Sequence, residues 1–195
     1  MTGPTGAGKG AVASYFAKHG IPTVNADTTY HTLLAQGGAM TTELAATFGT
    51  DILREDGKVD RKRLGKTVFG KENTPELLKV LNIITHKYVV IAIKEQLAAL
   101  EKDGARAAVI DAPQLFEAEL EQICEAVIGV IARPDIRLAR ITARDGITEE
   151  AAQNRINAQH AEDFFRAKCH FILENNEDLA ALESQVLDLL HTLQL

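Results

Sequence analysis

Residues 3–11 read Gly3-Pro4-Thr5-Gly6-Ala7-Gly8-Lys9-Gly10-Ala11, a run of the form G-x-x-x-x-G-K that opens into a helix-like stretch over 9–19, stopped by Gly20 and Pro22. Glycines let successive backbone N–H groups turn inward around an anion, and the positive end of the following helix adds to them. Lys9 is then placed to reach the β- and γ-phosphates of a nucleotide as a point charge. The plainer reading is a glycine-rich turn, and a helix pattern that starts at the lysine weighs against it. Two features depart from the motif. Gly10 stands where Ser or Thr ordinarily offers a hydroxyl to Mg²⁺, so water or another side chain must take that place. Only Met1 and Thr2 precede Gly3, so the strand that should lead into the loop is expected to be missing, and the start at Met1 to be a truncation or a false start.

Outward from the loop, strands alternate with helices. Short strands are expected over 22–26, 107–110, 127–132 and 171–173, and helices over 134–144, 148–158 and 177–193. Val127–Ala132 is a continuous apolar run, as a strand buried on both faces requires. Residues 28–100 interrupt the alternation with a mostly helical block, whose last helix is expected from about Thr74 to Leu100. The fold class that follows is α/β, a nucleotide-loop parallel sheet flanked by helices, with an inserted helical domain, a lid, and the first strand lacking. The expected division is a core of 1–27, 105–133 and 168–195, an inserted domain of 28–104 and a lid of 134–167.

The chain has 195 residues, 46% of them hydrophobic, with 21 Lys+Arg against 27 Asp+Glu. This excludes a dominantly disordered chain and disfavours a basic nucleic-acid binder. No apolar run approaches the roughly 20 residues of a membrane span. Cys124 and Cys169 form no CxxC and read as reduced thiols of a cytoplasmic protein.

Four sets of polar residues carry candidate chemistry. Asp27 follows the 22–26 strand, at the crevice edge where ligands of parallel sheets sit. It suits a proton acceptor for an attacking hydroxyl, and equally an N-cap for a helix beginning at Thr28. Asn25 is a weaker polar candidate. Asp111 ends an apolar strand and suits a Mg²⁺ contact, or a turn before Pro113. Arg133, Arg137, Arg140 and Arg144 fall near one helix face, either a solvated stripe or a lid whose guanidinium forks meet phosphate oxygens, with Arg144 preferred for that contact and Arg155 and Arg166 lesser candidates. The six histidines show no metal spacing, and a lone histidine such as His86 is more often structural.

Taken together, the segments resemble the dephospho-coenzyme A kinase family. The matching residues are the 2–9 loop, Ala26-Asp27, Phe48-Gly49, Asp56–Arg61, Val68-Phe69, His86, Asp111–Glu117, Arg140–Asp145, Arg155–Gln159 and Asn175-Asn176. The resemblance implies transfer of the γ-phosphoryl of ATP, with Mg²⁺, to the ribose 3′-hydroxyl of dephospho-coenzyme A. It implies Asp27, Lys9 and Arg144 as catalytic residues, and Gly3–Ala11, Arg140 and Asn175 at ATP. It also implies Asp27, His86, Asp111, Leu115, Glu117 and Gln159 at the acceptor. This sequence departs from the family pattern at Asn25, in place of an aspartate, at Lys87 after His86, and at Phe165, where a basic residue is frequent. The alternatives are another small-molecule or nucleoside monophosphate kinase, or a nucleotide-binding homologue with impaired catalysis.

Overall fold

The structure, a computed structural model, describes residues 1–70 and 75–195. In chain order its elements are α1 (Lys9–Lys18), β1 (Thr23–Asn25), α2 (Ala26–Gln36), α3 (Ala39–Phe48), α4 (Arg61–Phe69), α5 (Pro75–Lys102), β2 (Val109–Asp111), β3 (Ile128–Ile131), α6 (Pro134–Asp145), α7 (Glu149–Asn157), α8 (Glu162–Lys168), β4 (Phe171–Glu174) and α9 (Leu179–Leu193). The helix start expected near Thr74 lies outside the described residues. The chain forms two compact units, Met1–Val24 with Ala99–Leu195, and Asn25–Ala98. No described helix is long and apolar enough to cross a membrane.

The first unit is built on a sheet. β1 lies beside β2, and β3 pairs parallel with β4 in the register Ile128–Phe171 to Ile131–Glu174. The lane between β2 and β3 is held by Met1 and Thr2. On one side the Met1 nitrogen donates to the Ile110 carbonyl (2.7 Å) and Ala112 N–H donates to the Met1 carbonyl (3.1 Å). On the other, Thr2 N–H donates to Ile128 and Val130 N–H donates to Thr2, both at 2.9 Å. Both are the bonding pattern of parallel neighbours. Met1 and Thr2 thus lie in the lane between β2 and β3, and from there the chain runs straight into Gly3.

Burial explains the placing. All four β3 residues are buried, as the apolar run required. On α9, Leu182, Val186, Leu189 and Leu190 fall on one stripe and are buried with Val12 and Phe16 of α1. Asp178 caps α9 by accepting from Ala181 N–H (2.9 Å), and α6 starts at Pro134 and ends against Gly146 in the left-handed region. α6 and α7 close a small core of Ile141, Ala152 and Ile156. The seven-residue α8 was not expected from the sequence; Phe165 on it is buried, edge-on to Phe164, and performs a packing role.

In the second unit, α2–α5 enclose a core that includes Leu34, Met40, Leu44, Leu64, Leu81 and Ile84. Asp60 caps α4 by accepting from Lys62 and Arg63 N–H (2.8 and 3.1 Å). Glu43 of α3 accepts from Lys87 (2.7 Å) and the Tyr88 hydroxyl (2.6 Å) of α5.

Candidate active site

In a parallel sheet the strand C-terminal ends share one edge. That edge carries the Gly3–Gly10 loop after Thr2, Asp111 at the end of β2, Arg133 after β3 and Asn175 after β4. The loop cannot be built from other residues at two points. A Cβ on Gly3 would strike the Val130 carbonyl oxygen, and one on Gly8 would strike the Asn175 side-chain nitrogen; both glycines also have positive φ, 146° and 99°. Gly8 hands the chain to α1 as its N-cap.

Side chains from the C-terminal third of the chain grip the loop. Arg137 Nε donates to the Thr5 carbonyl (2.9 Å), and Arg140 Nη1 to the Gly6 carbonyl (3.4 Å). Asn175 Nδ2 donates to the Ala7 carbonyl (2.9 Å). Arg140 also clasps Asn175 itself, at its carbonyl (3.1 Å) and its Oδ1 (3.2 Å). Gln159 Oε1 accepts from Thr5 N–H (2.8 Å) and from Arg137 Nη2 (3.5 Å). Lys9 Nζ donates to the Gly3 carbonyl (2.8 Å), so the ammonium lies over the loop. Arg137 and Asn175 are each only 4% exposed. Burial pushes the Arg137 guanidinium below the usual arginine range, against a smaller opposing pull from Glu162.

The arginine row expected to act as one stripe therefore divides. Arg137 and Arg140 turn to the loop. Arg133 pairs with Asp135 (3.3 Å) at the surface, and its N–H is held by Asn176 Oδ1 (2.8 Å). Arg144 forms a two-pronged pair with Asp145 (2.7 and 3.0 Å), which Arg155 also meets (2.6 Å). The Arg144 hydrogen bonds, more than Arg155, hold the Asp145 carboxyl below its ordinary value. Arg166 is spent on Glu162 and Glu174, both at 2.6 Å.

The remaining first-unit residues lie at the end of β2 and on the segment after it. Asp111 is buried, Leu115 is fully buried, and Glu117 meets His160 (3.2 Å), whose ring stacks on Phe164 at 3.7 Å. Gly10 has open space around it, and among the described residues no three His, Cys, Asp or Glu side chains gather as a metal cage.

The second unit holds Asp27 and His86, the latter half-buried on α5. Here the helix start differs from expectation. α2 begins at Ala26, and its cap is Asn25, whose Oδ1 accepts from Thr28 N–H (2.8 Å). Thr29 Oγ1 donates back to the Asn25 carbonyl (3.0 Å). Asp27 is thus an exposed first-turn residue, relieved of the capping role.

Sequence reasoning did not single out Arg137 above its row, and it named Asn176 beside Asn175 without giving it a role. The signal for Arg137 was available: it stands four residues before the fully buried Ile141, on the apolar side of α6.

Comparison with known proteins adds to this geometry. A family model described as "CoaE: Dephospho-CoA kinase" matches residues 1–181. A relative named dephospho-CoA kinase from Listeria innocua is 34% identical over 187 residues, covering 96% of this chain and 92% of the relative. A solved structure from Thermus thermophilus matches with TM-score 0.80 and 29% identity, over 98% of this chain and 95% of that one. A dephospho-CoA kinase from Campylobacter jejuni matches with TM-score 0.61 and 25% identity, over 98% of this chain and 94% of that one.

Proposed function

The chain belongs to the dephospho-CoA kinase family, and we propose that it transfers the γ-phosphoryl of ATP to the ribose 3′-hydroxyl of dephospho-coenzyme A, releasing coenzyme A and ADP. The observation that carries the reading is the Gly3–Gly10 loop, whose shape is fixed from outside by Arg137, Arg140 and Asn175 while Lys9 sits over it.

The roles follow from phosphoryl transfer, in which the protein mainly positions and neutralises. The loop amides and Lys9 take the phosphate oxygens. Asp27 accepts the proton of the attacking 3′-hydroxyl; its freedom from the cap supports this, because the carboxylate is not committed to the helix end. Arg144 leaves Asp145 to meet the charge that moves to the leaving oxygen. His86, Asp111 and Glu117 serve the acceptor, and Leu115 shapes the 111–117 segment from within the core.

Mg²⁺ in such sites takes one or two carboxylates and completes its shell with phosphate oxygens and water. The residues fit that pattern. Asp111 supplies one carboxylate, and the open space at Gly10 leaves room for water in place of a hydroxyl. Bound there, the ion neutralises developing phosphate charge. The free thiols Cys124 and Cys169 support a cytoplasmic site of action.

The test is ADP release from ATP and Mg²⁺ with dephospho-coenzyme A or AMP as acceptor. Turnover with dephospho-coenzyme A and none with AMP is expected. Turnover with AMP instead identifies a nucleoside monophosphate kinase, and nucleotide binding without transfer to either identifies a binding protein.

A further inference from the structure

We propose that Gln159 and Arg137 are positioning residues of the phosphate loop, closing a ring on the Thr5 residue that turns the loop's amides toward the nucleotide. This places Gln159 on the ATP side of the reaction, where the family resemblance had it at the acceptor. It rests on the nucleotide-binding reading above.

The argument starts from the peptide unit. In a planar trans peptide, the C=O of one residue and the N–H of the next point in opposite directions. The carbonyls of Thr5, Gly6 and Ala7 are all drawn outward, to Arg137, Arg140 and Asn175. The N–H groups of Gly6 and Gly8 therefore point to the opposite side, the concave face of an anion nest, while the Ala7 N–H closes a turn onto the Pro4 carbonyl (3.3 Å). The Thr5 N–H is turned away from the nest, because it is already given to a side chain, that of Gln159. It marks the outer edge of the nest.

Both backbone polar groups of Thr5 are thus held, and the two side chains that hold them also touch each other. Gln159 Oε1 accepts from Thr5 N–H and from Arg137 Nη2, while Arg137 Nε donates to the Thr5 carbonyl. The ring is braced from behind. Arg137 is buried on α6, and Gln159 follows α7, the helix that packs on α6 through Ala152 and Ile156. A shift of α6 against α7 pulls directly on the Thr5 peptide.

Only the oxygen of Gln159 acts in this ring, which distinguishes it from an acceptor contact made through the amide nitrogen. Glu at 159 keeps an oxygen acceptor for both donors, and Ala keeps none. Because Gln159 is exposed, both variants are expected to fold with Tm near wild type. ADP binding is measured by calorimetry with no acceptor present, alongside hydrogen exchange of the Thr5 amide. Gln159→Ala is expected to weaken ADP binding about tenfold, the loss of one charge-free hydrogen bond and its alignment, and to speed Thr5 exchange. Gln159→Glu is expected to stay within about twofold of wild type on both readouts, since the acceptor atom survives. An unchanged ADP affinity in Gln159→Ala with a raised KM for dephospho-coenzyme A overturns the proposal. Equal losses in the Ala and Glu variants overturn it as well. Failure of the wild-type chain to bind ADP defeats the nucleotide reading itself, a result separable from either variant's.

Discussion

The phosphate loop draws its partners from far along the chain, and the start of α2 draws its partners from next door. At the loop, Thr5 is held by side chains 132 and 154 residues away, and Ala7 by one 168 residues away. At the start of α2, the Asn25 side chain meets a backbone N–H three residues on, and its carbonyl meets a hydroxyl four residues on. Two of the loop's partners, Arg137 and Asn175, are buried, whereas Asp27 is exposed. The difference teaches that a group which must surround several phosphate oxygens needs an external mould, because glycines have no conformational preference of their own. A single carboxylate needs only a helix end to present it.

If the comparison is right, substitutions in the two regions will separate chemistry from stability in opposite ways. Asp27→Asn is expected to give the largest effect, a fall in kcat of about 10³-fold, within the usual range for removal of a general base. Its ADP affinity and Tm should stay near wild type, since Asn25 keeps the cap. Unchanged kcat in a steady-state assay removes Asp27 from the base role.

Asn175→Ala comes next. It removes the donor to Ala7 and leaves that carbonyl and the Arg140 guanidinium short of a partner in a buried place, at a cost of about 2 kcal/mol. Thermal unfolding should register the loss, and ADP binding should weaken with it. A destabilised variant with intact ADP binding breaks the claim that distant partners shape the loop.

Asn25→Ala is expected to cost about 1 kcal/mol, a typical cap loss, with ADP affinity unchanged. A drop in ADP affinity would tie the α2 cap to nucleotide binding and break the comparison.

The smallest effect is electrostatic. Asp145 has its pKa held below the ordinary 3.8 by Arg144 first and Arg155 second. For a depressed carboxyl, the contribution to stability is complete above the unfolded value and is lost as pH falls through the folded one. Melting measured from pH 8 to 5 should therefore show no pH dependence from this pair, whose contribution is complete there, and Asp145→Asn should differ from wild type less as pH falls below 3.8. A difference that grows on acidification contradicts the pairing.

Much of this was legible in residue order. The Gly3–Gly10 motif and the apolar run at Val127–Ala132 each place their element within a few residues, because each depends on neighbours in sequence. Family membership was readable from motif order for the same reason. The helix start at Asp27 was misread by two residues. Asn and Asp cap comparably well, and spacing alone does not say which of the two accepts the bond. The arginine row was read as one face, yet its four members have four different partners.

The sequence by itself determined the glycine loop, the lysine that follows it, the alternation of strands and helices, and the carboxylates at strand and helix ends. All rest on interactions within about a turn of helix or along one strand, where chemistry and spacing are both written in residue order. Only the tertiary structure decided that Met1 and Thr2 fill the central lane of the sheet. It likewise decided that Arg137, Gln159, Arg140 and Asn175 hold the loop, and that Arg144 rests on Asp145. Those choices depend on which donors the packing of α6, α7 and β4 delivers to which carbonyls. A guanidinium binds any carbonyl within reach, and reach across more than a hundred residues is set by the fold.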